Sequence, residues 1–218
     1  YQVPVIILSD QALATRMAVV ERPDTSEVEV VDRKTAKDAN GEYKRYELTD
    51  DLVSPMGIPG EEGGQHVATG IEHDEYGHPT YTPENHLAMS KKRWGKLEPL
   101  ANGAARHASY GEERPEVAVI GFGSTFGAVR EAINRARAEG SSVGAFFPRV
   151  LTPFPAEQTA AFASGAKRVI VPEINHTGQL ARLVRSECQL DVESHAKCDG
   201  LPFAADDIYD LIMEGAIA

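Results

Sequence analysis

What the 218-residue chain lacks narrows its chemistry before anything it contains. It has only two cysteines, Cys188 and Cys198, and no CxxC pair, so neither a structural zinc site nor a disulfide framework is implied and a reducing compartment fits. It has no run of about 18 or more apolar residues and no leader of basic, apolar and small residues, which makes a soluble, cytoplasmic protein with no membrane partner the expectation. Positive charge is in deficit. The net charge of −11 divides into 12 basic against 19 acidic residues in 1–112 and 10 against 14 in 113–218, so neither half is a nucleic-acid binder by bulk electrostatics. No internal repeat or low-complexity tract is present, and a hydrophobic content of 42% is enough for the core of one or two globular domains. The chain opens at Tyr1 inside an apolar run, and is expected to be a piece of a longer polypeptide.

The second half is regular. VAVIGFG (117–123), SVGAFF (142–147), KRVIVPE (167–173) and VESHAK (192–197) read as strands spaced roughly 25 residues apart, the cadence of βα units with a mainly parallel sheet. Between them, Phe126, Val129, Ile133 and Ala136 repeat at helical spacing from a cap at Ser124 or Thr125 to a stop at Gly140. A second helix runs from Pro155 to Gly165. A third carries Leu180, Leu183, Val184 and Cys188 on one stripe, and a fourth starts at Asp206 and Asp207 and carries Ile208, Leu211 and Ile212. The expected fold is α/β, a three-layer α/β/α sandwich over 113–218, preceded by an irregular α+β segment over 21–112.

The first half is less ordered. VPVIILSD (3–10) is a continuous apolar run, as in a strand buried on both faces, with QALATRMAVV as a short helix after it. From Glu21 to Gly64 the chain is polar, turn-rich and acidic. YKRYELT (43–49) and HVATGIEH (66–73) are its expected strands, and PENHLAMSKKRWGKLEPL (83–100) is a helix with Pro83 in its first turn.

Several stretches carry candidate chemistry. GIEHDEYGH (70–78) packs Glu72, His73, Asp74, Glu75 and His78 together, residue types that suit zinc, iron or manganese. Along an extended segment, however, neighbours point to opposite faces, Glu72 with Asp74 and His73 with Glu75, so the five do not converge. The expected role is a solvated or interface loop held by local hydrogen bonds. VIGFGSTFG offers a glycine turn between strand and helix, where a nucleotide phosphate can sit, but Phe126 stands at the third glycine of the dinucleotide fingerprint and Arg149 where a ribose-binding acid belongs. A stand-alone Rossmann-like nucleotide-binding protein using residues 119–127 is therefore the alternative reading. Ser124, His176 and Asp199 sit at strand-to-helix turns without a GxSxG elbow. Cys188 belongs to an apolar stripe, His176 to a turn hydrogen bond, and Lys91, Lys92, Arg93 and Lys96 beside Trp94 to a solvated helix face, with an anionic partner surface as the alternative.

Together, PVIILSDQALA, GIEHDEYGHPTYTPENHLAMSKKRWGKL, EVAVIGFGST, LTPFP, VPEINHTGQLARLVR and KCDGLPF resemble, in order, the α subunit of 2-oxoacid:ferredoxin oxidoreductases, the 2-oxoglutarate type in particular. EHDEYGHPT with its following helix is the most specific piece. The GxGS turn and PFP segment are shared with the transketolase C-terminal-like domain of other thiamine enzymes. The resemblance implies that 1–20 is the remnant of a preceding pyrimidine-binding domain and 113–218 a transketolase C-terminal-like domain. The parent enzyme it implies decarboxylates a 2-oxoacid on thiamine diphosphate with magnesium, passes electrons through an iron-sulfur cluster to ferredoxin, and releases an acyl-coenzyme A. The family's Tyr-Pro-Ile-Thr-Pro segment has no counterpart here. No catalytic, cofactor or metal residue carries over, and the chain alone is expected to be inactive, with a structural role facing the β subunit and a second α subunit, and ferredoxin indirectly. Glu72, His73, His78, Asn175 and Gln179 are the candidate interface residues.

Overall fold

Residues 1–36, 42–101 and 107–214 are described in the structure, a computed structural model. Contacts divide the chain into two units, Tyr1–Val5 with Ala18–Glu98, and Ile6–Met17 with Pro99–Ala218. Part of the acidic stretch that the sequence left unassigned, residues 37–41, lies outside the described residues.

The second unit is built on a five-stranded sheet. Its strands are β1 (His107–Gly111), β2 (Val117–Ile120), β3 (Val143–Pro148), β4 (Arg168–Glu173) and β5 (Glu193–Ala196), in spatial order β1-β3-β2-β4-β5. All neighbours are parallel except β1, which pairs antiparallel with β3. Four expected strands thus appear, three within one residue of their sequence boundaries and the first ending three residues early, at Ile120. β1 was not expected. HASYG is short and polar and carries no alternation that marks a strand, and what defines it is its ladder to β3 from His107–Pro148 to Gly111–Gly144.

Side-chain alternation sends Val119, Val143, Ala145, Phe147 and Ile170 to one face, against α4 (Thr125–Ala138) and α7 (Ala205–Met213). Ala118, Ile120, Phe146, Val169 and Val171 pack on the other face with α5 (Ala156–Ala163) and α6 (Gln179–Cys188). This is the expected α/β/α sandwich. The handedness of crossovers explains the distribution. The β2-α4-β3 connection runs one way across the sheet and the β3-α5-β4 and β4-α6-β5 connections run the other, so right-handed crossovers place α4 opposite α5 and α6.

In the first unit, α2 (Pro83–Gly95) begins with Pro83 after Thr82, whose hydroxyl accepts from the Asn85 amide at 3.4 Å. The helix expected to reach residue 100 stops at Gly95, and a single turn, α3 (Glu98–Ala101), follows. Pro99 has no amide proton to continue the ladder, which accounts for the break.

Three strand expectations are corrected. VPVIILSD is not a strand, and Val5, Ile6, Ile7 and Leu8 are 82%, 83%, 87% and 64% exposed. An apolar run becomes a buried strand only where a neighbouring ladder takes its amides, and among the described residues none flanks it. The short helix after it does form, as α1 (Gln11–Thr15) with Asp10 as its N-cap. YKRYELT turns at Arg45 and Tyr46, because the Tyr46 amide donates to the Glu75 carbonyl at 2.9 Å and the Leu48 amide to the Glu75 carboxylate at 2.9 Å. HVATGIEH contributes one isolated bridge, His73 to Pro79.

Candidate functional site

In an open α/β sheet the ligand crevice lies at the carboxyl ends of the strands where connections diverge. Here that point is between β2 and β4, since β2 leads to β3 on one side and β4 to β5 on the other. The glycine turn 121–124 follows β2 and the turn 173–178 follows β4, and each feeds a helix whose first amides form an anion-binding end.

The α6 end is taken by a carboxylate of the chain, and a second carboxylate lies beside the α4 end. Glu173, wholly buried, accepts from the Leu180 amide at 2.7 Å, the Ala181 amide at 3.0 Å and the Asn175 side-chain amide at 2.6 Å. Asn175 in turn accepts from the amides of Thr177, Gly178 and Gln179 at 3.1, 2.8 and 3.3 Å. At α4, Asp10 Oδ2 lies 3.8 Å from where a Cβ would stand on Gly123. Burial opposes ionisation of Asp10, yet hydrogen bonding from Ser124 and from the amides of Leu13 and Ala12 holds its carboxyl below the ordinary carboxylate value. Gly121 is fixed by packing, because a Cβ there would come within 2.9 Å of both the Phe147 ring and Thr125 Oγ1. That is the close-packing use of the glycine turn rather than the phosphate-cradling one. Ser124 makes no capping bond and Thr125 donates back to the Phe122 carbonyl at 2.8 Å, so the expected side-chain cap of α4 is corrected.

The GIEHDEYGH loop, in the first unit, also uses its acids internally. Asp74 Oδ1 accepts from the amides of Tyr76 and His78, both at 2.9 Å, closing a turn. Gly77 sits at φ +90°, and a Cβ there would lie 1.9 Å from the Val67 carbonyl oxygen. Glu75 accepts from Leu48 and pairs with Lys44 at 3.2 Å. Glu72 reaches α2, where Arg93 and His86 each approach its carboxylate at 2.5 Å. Those bonds, Arg93 foremost, hold the Glu72 carboxyl down at about 2. His73 bonds the Ile71 carbonyl at 2.9 Å and lies against the Tyr46 ring at 4.1 Å, whereas His78 is exposed and 3.9 Å from Asp74. The separation arises because 74–77 folds into a turn and each carboxylate serves a different element, not from strand alternation as the sequence suggested. Among the described residues, no three His, Cys, Asp or Glu stand close enough to share an ion.

Beside this loop the same unit holds a cleft of about 380 Å³, lined by Gln2, Arg45, Tyr46, Ser54, His73, Met89, Lys92, Arg93 and Lys96 among others. Lys92 is buried, 8% exposed, and donates to the Tyr46 carbonyl at 2.8 Å and to the Ser54 hydroxyl. The solvated basic face expected for this helix is therefore corrected at Lys92. Burial, reinforced by the charges of Lys96 and Arg45, lowers its ammonium to about 8.

The structure places Glu72, His73 and His78 in the first unit and Asn175 and Gln179 in the second. Gln179 and His78 are exposed, the others half-buried. The turn hydrogen bonds assigned to His176 are made by Asn175 instead, and His176 is exposed. Ser124, His176 and Asp199 form no hydrogen-bonded pair among the described residues. Burial pushes the Cys188 thiol up to about 11, in keeping with a core position. Sequence reasoning missed Glu173, Asp10, Arg45 and the burial of Lys92. Two signals were available. Glu173 ends an apolar strand just before a helix with glycine at its cap, and Lys92 lies three residues after Met89 on the buried stripe of α2.

Residues 115–208 match the family profile of pyruvate:ferredoxin oxidoreductase core domain II. The chain is 33% identical over its whole length to 2-oxoacid:ferredoxin oxidoreductase 2, subunit alpha, of Aeropyrum pernix, of which it covers 34%. It is 32% identical to 2-oxoglutarate oxidoreductase subunit KorA of Mycobacterium tuberculosis, over 95% of this chain and 32% of that protein. Among solved structures, 2-oxoglutarate:ferredoxin oxidoreductase from Magnetococcus marinus, with 2-oxoglutarate, coenzyme A and succinyl-CoA bound, superposes with a TM-score of 0.84 at 41% identity, over 89% of this chain and 34% of that one. The chain spans about a third of the length of these relatives. A domain match, similarity along the whole of this chain and a shared fold thus agree in making the chain similar to a part of the 2-oxoacid:ferredoxin oxidoreductase α subunits.

Proposed function

We propose that this chain serves as the structural and subunit-contacting part of such an α subunit, in a cytoplasmic enzyme that oxidatively decarboxylates a 2-oxoacid, 2-oxoglutarate by preference, to an acyl-coenzyme A with reduction of ferredoxin. The observation that carries the reading is the occupied switch point. Glu173 fills the N-terminal end of α6 and Asp10 approaches that of α4, so the crevice where such folds take a phosphate-bearing ligand already carries two of the protein's own carboxylates. The rival nucleotide-binding reading needs that same space.

Thiamine diphosphate, magnesium and an iron-sulfur cluster belong, in this reading, to other parts of the enzyme. The described residues do not fit them. The helix ends that would take a diphosphate carry carboxylates, which repel it, and no three acidic, histidine or cysteine side chains converge on one point. Of the two cysteines, Cys188 is half-buried with a raised thiol and Cys198 is exposed just after β5. The exposed apolar run Val5–Leu8 supports a neighbouring pyrimidine-binding domain at that edge. Glu72, His73, His78, Asn175 and Gln179 then face the β subunit, the second α subunit or the rest of the α chain, and ferredoxin is met only indirectly.

Calorimetric titration of the chain with thiamine diphosphate and magnesium tests the reading. No saturable heat is expected, and a micromolar dissociation constant would overturn it. Hydrogen exchange adds a positive test, since the amides of residues 72–78 and 175–179 should exchange more slowly in the assembled enzyme than in the free chain.

A further inference from the structure

We propose that the cleft of the first unit is a binding site for a multiply charged oxyanion, of the sulfate, phosphate or polycarboxylate class, held by Arg45, Lys92 and Lys96. The charge balance of the cleft is the first ground. Of its four cations only Arg93 has an acidic partner, Glu72. Arg45 is bonded to the Gln2 side-chain carbonyl at 2.9 Å and Lys96 to the Gln2 backbone carbonyl at 3.3 Å, both neutral acceptors. Lys92 meets only a carbonyl and a hydroxyl. Among the described residues, no carboxylate forms an ion pair with any of these three. In a chain of net charge −11 this is an unusual concentration of uncompensated positive charge. Burying like charges together is costly unless a counter-charge joins them.

Donor capacity is the second ground. An ammonium has three N–H donors and a guanidinium five. Lys92 uses two and Lys96 one, while Arg45 uses one, so all three retain donors beside a cleft large enough for a small ion or a compact organic acid. Tyr46 and His73 supply an aromatic wall, their ring centroids 4.1 Å apart and the rings tilted at 49°. An excess of three charges favours an anion of charge two or more over chloride. The charged groups that act on Lys92 are Lys96, Arg45 and Arg93, which disfavour its proton, and Glu75, which favours it but is already engaged by Lys44 and the Leu48 amide. An anion in the cleft supplies what Glu75 does not.

Sodium sulfate is the probe of choice, because its charge stays fixed while Lys92 titrates. Calorimetry or amide chemical shifts on the whole chain, with sodium chloride at matched ionic strength as control, should show one saturable site. Arg45→Gln and Lys96→Gln should each weaken it by about tenfold, the loss expected for one charge-assisted hydrogen bond. Affinity should fall as pH rises above about 8, where free Lys92 loses its proton. Lys92→Met should abolish binding. If that variant fails to fold, the two half-buried positions decide. Inorganic phosphate and citrate under the same conditions assign the class by which binds more tightly. Absence of saturable binding in the folded chain, or binding that survives Arg45→Gln and Lys96→Gln unchanged, overturns the proposal.

Discussion

Replacing Glu173 with alanine tests whether its carboxylate holds the α6 end of the switch point together. The substitution removes the acceptor for the amides of Leu180 and Ala181 and for the Asn175 side chain, at 2.7, 3.0 and 2.6 Å. Glu173 is fully buried and so are the two residues whose amides it caps, while Gly178 at the head of α6 supplies no side-chain cap. Losing an N-cap acceptor costs about 0.5–2 kcal/mol, and each buried donor left unpaired costs about 1–3 kcal/mol. Water entering the vacated space recovers part of this, which leaves a destabilisation of about 3 kcal/mol. At about 2–4 °C per kcal/mol for a chain of this size, the transition of the unit carrying the sheet should fall by about 6–12 °C. Glu173→Gln keeps one acceptor oxygen but turns an amide NH₂ toward backbone donors, so about half the loss is expected. Far-UV circular dichroism reports the melt, and hydrogen exchange resolved at Leu180 and Ala181 localises it, which matters because two units need not unfold together. A melt within about 0.5 kcal/mol of the parent, with unchanged protection at those two amides, would refute the assignment of Glu173 as the anchor of this turn.

Two further outcomes concern the first unit. Gly77→Ala puts a Cβ 1.9 Å from the Val67 carbonyl oxygen at φ +90°, so it should cost more than the ~1 kcal/mol of a simple left-handed strain and shift the chemical denaturation of that unit, read by Trp94 fluorescence. Protonating Glu72 removes its bonds to Arg93 and His86. Its folded-state pKa lies below the ordinary value, at about 2, so the stability it supplies is fully present above about pH 4.5 and is lost as pH falls toward 2. Glu72→Gln should therefore lower stability above about pH 5, where the carboxylate contributes fully, and flatten the acid limb of the Trp94 unfolding profile so that the two profiles converge toward pH 2, and an acid limb identical to that of the parent would count against the bridge.

The α/β unit was legible because buried parallel strands write themselves as continuous apolar runs and their helices as stripes. Val169, Ile170 and Val171 are buried on alternate faces, and Leu180 and Val184 on the inner side of α6, so the pattern and the packing coincide. β1 escaped because its five residues gain their place from a ladder to β3 rather than from any pattern of their own. The first unit was largely illegible for a related reason. It is held by bonds between segments distant in sequence, such as Lys92 Nζ to the Tyr46 carbonyl at 2.8 Å and the Leu48 amide to the Glu75 carboxylate at 2.9 Å, which leave no period to read. Within the candidate site, the residue types of GIEHDEYGH suggested metal ligands because type alone does not say which partner a carboxylate takes. Glu72, Asp74 and Glu75 each take a different one.

The two units handle charge in opposite ways, and that contrast locates where ligands are to be sought. In the sheet-bearing unit, the crossover geometry generates two helix ends facing the divergence between β2 and β4, and the chain brings an aspartate and a glutamate to them. The favourable field of each helix end is thus used to fix a loop, Asp10 against the 123–124 turn and Glu173 against the 175–181 turn, rather than to hold a phosphate. A domain arranged in this way presents rigid, oriented loops to its neighbours, which is what a contact surface requires. In the first unit the balance is reversed. Acids are consumed by amides, His86, Arg93 and Lys44, while Arg45, Lys92 and Lys96 are left around an open cleft with neutral acceptors only. A displaced counter-charge is missing from that cleft and not from the sheet, so an anion that binds this chain should perturb Tyr46, His73 and Lys92 before it perturbs any residue at the switch point.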